Sequence, residues 1–163
     1  MAHNAHRVFI SYATGDHPVA EKIYNALEAG KIRCWWERRN LQPGDPWPGE
    51  LAAALEQAKV VILVFSAHTD RSEWVKREIN HALCHNKTIM VFRVEDVPAQ
   101  GIYGMLKSNY QWQDAYTPPL QGHIERLAAA VQDHLKISPV APVPPARGLL
   151  SNPFTESIAI RDP

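Results

Sequence analysis

The 163 residues carry seventeen basic and seventeen acidic side chains, with 45% hydrophobic and 21% charged content. That is chain enough for one domain with a real core, and the even charge balance excludes nucleic acid as the main partner, because phosphate binding needs a basic surplus. No apolar run nears membrane-spanning length and residues 1–7 carry no leader-like apolar stretch, so the chain is expected to be cytoplasmic. The only two cysteines, Cys34 and Cys84, are expected to be buried free thiols.

Strand-like and helix-like segments alternate from Arg7 to about Leu135. Val8-Phe9-Ile10 opens as a short strand ending at Ser11-Tyr12, and Asp16 is placed to cap a helix with Pro18 in its first turn. The stripe Val19, Ile23, Ala26 and Leu27 marks that helix's inner face, and Gly30 stands where a terminating glycine belongs. Ile32 to Trp36 reads as a second strand, Glu37 to Asp45 as a loop marked by Pro43-Gly44, and Trp47 to Ala58 as a helix with Leu51, Leu55 and Ala58 inward.

The apolar run Val60 to Phe65 has strand length and β-branched content, suited to a central strand buried on both faces. A turn from Ser66 to Arg71 leads into a helix bearing Trp74 and Glu78, with Ser72 a good cap. A fourth strand spans Thr88 to Arg93, and residues 94–107 read as irregular or short-helical. Tyr110 to Trp112 is a short fifth strand, and Pro118-Pro119 starts a last helix with Leu120, Ile124, Leu127, Ala128, Val131 and Leu135 inward. This alternation predicts an α/β fold, a flavodoxin-like three-layer sandwich with a mostly parallel five-stranded sheet in the order 2-1-3-4-5 and helices on both faces. Six of the thirteen prolines fall within 138–163, so the domain is drawn at 1–137. Residues 138–163 read as a Pro-rich linker toward a C-terminal domain.

Trp74 and Glu78 are four residues apart, so they share one helix face near the carboxyl end of a strand, where open α/β sheets bind ligands. A carboxylate beside an indole there stabilises a cation and stacks on a flat ring. Read from helix pattern alone, Glu78 is either that carboxylate or a solvent-facing partner of Lys76 or Arg77. Trp74 is either a stacking ring or a core tryptophan. His81, Cys84 and His85 have helical spacing for two metal ligands, but neither HExxH nor paired CxxC occurs, and no metal is expected. The absence of a P-loop and of GxGxxG leaves NTP hydrolysis and hydride transfer unsupported.

Phe9-Ile10-Ser11-Tyr12, Leu41-Gln42-Pro43-Gly44, the strand into Phe65-Ser66, and Ser72-Glu73-Trp74 through Glu78 together resemble a TIR (Toll/interleukin-1 receptor) domain over about Arg7 to Leu135. Cys34-Trp35, Phe92 to Pro98 and Trp112-Gln113-Asp114-Ala115 resemble the bacterial branch. The resemblance implies NAD⁺ glycohydrolase activity, with NAD⁺ a consumed substrate and no resident cofactor. Glu78 would be the catalytic residue, and Ser11, Tyr12, Ala13, Thr14, Arg39 and Trp74 would line the dinucleotide. It also implies self-association through the loop from Glu37 to Trp47, which includes Arg38, Asn40 and Asp45; Trp47 is the indole there expected to be exposed. By analogy it further implies a sensor or ATPase module beyond the linker and a role in antiphage defence. The rival reading is a non-catalytic adaptor that binds other TIR domains through the same loop. A receiver or flavin-binding reading lacks its acidic pair and its Ser/Thr-rich phosphate loop.

Overall fold

Strand β3 (Val60–Phe65) is the centre of the sheet, every one of its six residues buried. Its neighbours are β1 (Val8–Ser11) on one side and β4 (Thr88–Arg93) on the other, with β2 (Cys34–Trp35) and β5 (Gln111–Asp114) at the edges. All four pairings are parallel and the order is β2-β1-β3-β4-β5, the expected flavodoxin-like arrangement. This computed structural model describes residues 7–36, 44 and 46–140, with 137–140 by backbone alone.

Parallel strands need crossovers, supplied here by α1 (His17–Ala29), α2 (Gly49–Gln57), α3 (Glu73–Cys84) and α4 (Ile102–Asn109), while α5 (Leu120–Val140) follows β5. The chain divides into two compact units, 1–129 and 130–163. In the first, Leu51, Ala54 and Leu55 of α2 and Val75, Ile79 and Ala82 of α3 join Phe9, Val61, Leu63 and Phe65 in one apolar cluster. Burying a side chain such as Leu55 there stabilises the fold by about 1.5–3 kcal/mol. In the second unit the described residues are the C-terminal part of α5.

Several boundaries differ from the sequence reading for local reasons. The edge strand β2 shortens to two residues, and α2 starts at Gly49 because Pro46 and Pro48 hold the chain extended before it. Residues 102–109 form a proper helix, entered through Gly101 at φ 58°, a left-handed conformation that favours glycine. Gly30 follows α1 but keeps φ −87°, and Lys31 takes the left-handed turn instead, at φ 67°. Cys34 is buried as expected, whereas Cys84 at the end of α3 is exposed. Trp47, with Trp35 and Trp36, is half-buried rather than exposed, its ring edge-on to His81.

The Arg93 guanidinium at the end of β4 donates to Asp114 Oδ1 of β5 at 2.7 Å. That bond holds the Asp114 carboxyl below its ordinary range. A depressed carboxyl stabilises the fold above its unfolded value, about 3.9, and loses that contribution as pH falls through the folded value. Asp114 is 53% exposed, so Asp114→Asn is expected to cost no more than about 1 kcal/mol at pH 7. Urea titrations of variant and wild type should converge in strongly acidic buffer.

Candidate active site

In a sheet of this order the strand order reverses between the parallel neighbours β1 and β3, and the crevice outside their carboxyl ends is where such folds take ligands. Ser11 ends β1 opposite Leu63 of β3, and Ser66 follows β3 directly. Helix α3 starts just beyond, where the Ser72 side chain accepts the Val75 N–H at 3.2 Å. This cap fixes the helix start and so the direction in which Glu78 points, one and a half turns later.

Glu78 is 0% exposed. Its Oε1 accepts the Ser11 hydroxyl at 2.6 Å, joining residues 67 apart in sequence. That length is typical of a hydroxyl donating to a carboxylate. A carboxyl buried this deeply is held through such bonds, and Ser11 is one group that orients it at the strand end. Of the two readings left open for Glu78, the solvent-facing one is excluded.

A second pair lies at the same crevice. Ser66 Oγ donates to Asp16 Oδ2 at 2.5 Å and accepts the His68 N–H at 3.0 Å, while Ser66 N–H donates to Thr69 Oγ1 at 2.8 Å. Asp16 therefore ties the β1–α1 turn to the β3–α3 turn instead of capping α1 with its side chain. Burial pushes its carboxyl up, partly offset by the Ser66 bond. The sequence signal for this pair is an acid just after β1 and a hydroxyl just after β3, two strands that turn out adjacent.

The remaining predicted residues are placed as follows. Ala13 is buried and Thr14 exposed, the latter opening a 3-10 turn, Thr14–Asp16, between β1 and α1. Tyr12 is buried, with its ring near His17 and Trp36 at 5.9 and 6.2 Å. Trp74 is 7% exposed and belongs to the apolar cluster, with the Arg77 guanidinium 5.2 Å from its ring centre. Arg38, Arg39, Asn40 and Asp45 lie outside the described residues.

One residue that sequence reasoning missed is Tyr103 of α4, whose buried hydroxyl has no hydrogen-bond partner among the described residues. Burial foremost, then the carboxylates of Asp70 and Glu78, pushes its phenol upward, so it stays a neutral donor near Glu78. Its ring packs on Phe65 with centroids 5.6 Å apart. Burial, then Glu28, likewise pushes the Cys34 thiol up, which removes it as a nucleophile. The site thus offers a fully buried carboxyl group and a hydroxyl bonded to it, a pair suited to stabilising positive charge on a polar ligand.

No curated protein matches the chain. Among solved structures, the TIR domains of Roq1, described in an activated resistosome directly recognizing the pathogen effector XopQ, superpose with TM-score 0.57 at 17% identity. They cover 78% of this chain and 99% of that one, and the likeness is one of fold. The TIR domain of the Toll-related receptor TRR-2 from Hydra magnipapillata is 21% identical, with TM-score 0.49 over 64% of this chain and 82% of that one. The TIR domain family profile matches residues 8–131, more than half of the sequence, and the chain belongs to the TIR domain family.

Proposed function

We propose that this TIR domain cleaves the nicotinamide–ribose bond of NAD⁺. The observation that carries the reading is the fully buried Glu78 carboxylate, oriented by Ser11 at the carboxyl end of β1. Breaking the C1′–N bond sends its electron pair to nicotinamide, which leaves neutral, and puts positive charge on the ribose. A fixed carboxylate in a water-poor site stabilises that charge, as in glycosidic transition states. Because the leaving group is already cationic, no second acid is required. Water then adds hydroxide to C1′ and releases its proton to solvent, giving ADP-ribose; attack by an adenine nitrogen gives a cyclic isomer.

Thr14 and the backbone of Ala13 are the proposed contacts for the dinucleotide, with Tyr12 beneath them and Arg39 matching the pyrophosphate. Trp74 needs its ring uncovered before it can stack. The Tyr103 hydroxyl is a donor in search of a ligand acceptor. The bacterial origin, cytoplasmic setting and antiphage defence role belong to this proposal. So does a sensor or ATPase module that gathers copies of the chain. Among the described residues no helix is long and apolar enough to cross a membrane.

A carboxylate with no exposure is reached only when neighbouring chain moves aside. Self-association through residues 37–47 is the proposed trigger, in keeping with the Roq1 TIR domains of an activated resistosome. Nicotinamide release per chain should therefore climb as protein concentration is raised. Flat, zero release at the highest concentration would favour the adaptor reading, for which the buried Ser11–Glu78 bond is a structural tie. Ser11 acts through Glu78, as a positioning residue. Ser11→Ala is expected to lower kcat on the order of 10²-fold, the cost of a misplaced reacting group, while KM for NAD⁺ changes little. A parallel rise in KM would mean that the hydroxyl binds substrate instead.

A further inference from the structure

We propose that Glu56 of α2 and His81 and His85 at the end of α3 form a binding site for one zinc-type divalent cation. The sequence presents two histidines four apart, the spacing that sets both rings on one helix face. It does not reveal the third donor, because Glu56 lies on another helix. The fold brings them together: one ligand atom from each of the three residues lies within 4.8 Å of the others. Cys84, between the histidines, is not among them.

Two details favour a metal. The His81 Nε2 is buried with no hydrogen-bond partner among the described residues, its nearest acid being Glu56 Oε2 at 3.7 Å. The His85 Nδ1 lies 2.9 Å from the His81 carbonyl. A carbonyl only accepts, so Nδ1 carries the proton and Nε2 keeps its lone pair. Bonding the second ring nitrogen to a carbonyl is how ligating histidines are usually oriented.

The donor set selects the ion. Two imidazoles and one carboxylate suit zinc and its first-row neighbours, with water in the fourth position. Lys87, whose ammonium bonds to the Glu56 carbonyl at 2.5 Å, adds positive charge beside the site. A hard cation held mainly by charge, such as magnesium or calcium, is disfavoured by that ammonium and by the single carboxylate. Ala82 follows His81, where a metallohydrolase of HExxH type carries its glutamate base. The site is therefore a clamp between α2 and α3 and not a hydrolytic centre. It is independent of the NAD⁺ reading, since none of the three residues belongs to the Glu78 site.

Zinc titration of the full chain by calorimetry tests this, in a background carrying His3→Ala and His6→Ala to remove histidines outside the described residues. One zinc ion per chain with micromolar affinity is expected. His85→Ala and Glu56→Gln, both at exposed positions, should each weaken binding by at least about 10-fold. As a second readout, cobalt should quench the fluorescence of Trp47, whose ring is 4.9 Å from His81, and Trp47→Phe should remove that part of the quench. Absence of zinc binding at millimolar concentration, or equal affinity in the background and in His85→Ala, would overturn the proposal.

Discussion

Glu78→Gln is expected to lower NAD⁺ cleavage by about 10²- to 10³-fold, the usual loss when one preorganised charge-stabilising group is removed. Glutamine keeps the shape of the side chain and still accepts the Ser11 hydroxyl now bonded to Oε1 at 2.6 Å. What it loses is the negative charge proposed to face the forming ribosyl cation. Glu78→Ala would confound the test. It would leave the buried Ser11 hydroxyl without its acceptor, at about 1–3 kcal/mol, and open a void besides. The Gln variant should therefore match wild type in thermal unfolding to within a few degrees while losing turnover. Activity persisting at wild-type level in Glu78→Gln would remove the residue from the mechanism and leave cleavage itself open.

The second large effect is on stability. Phe65 ends β3, is buried, and packs on Tyr103 and Trp112 with centroids 5.6 and 5.4 Å away. Phe65→Ala removes the ring that packs on Tyr103 of α4 and Trp112 of β5 and leaves a cavity there. The expected cost is about 3–5 kcal/mol, a large share of a typical domain's stability. The melting temperature should fall on the order of 10 °C, measured by circular dichroism. A fall of only a degree or two would mean that the aromatic cluster collapses onto the space.

How much of this was legible beforehand depended on whether the signal was local. β3 and β4 were readable to the residue, because a run such as Val60 to Phe65 has strand length and β-branched content and ends in turn residues. Edge elements were less so: β2 and β5 are half-solvated and short, and the polar Gln111 and Gln113 of β5 carry no apolar run to bound it. Helix α4 was obscured by Gly104 and Ser108 within a weakly periodic stretch.

At the site, spacing placed Trp74 and Glu78 on α3, but nothing along the chain pairs Glu78 with Ser11 or Asp16 with Ser66. Those bonds exist because β1 and β3 are neighbours, a fact of topology. The same holds for Glu56, which meets His81 only once α2 lies beside α3. Cys84 is exposed against expectation because an apolar helix context does not show that the last residue of α3 lies uncovered.

Whether a buried carboxylate in this fold breaks a glycosidic bond is tested most directly by proton NMR of NAD⁺ mixed with the concentrated chain. The resonances of free nicotinamide should grow in at the expense of the nicotinamide–ribose signals with wild-type protein, and stay near baseline with Glu78→Gln. NAD⁺ left intact by the wild-type chain, at concentrations where sedimentation shows it assembled, would contradict NAD⁺ cleavage by this domain.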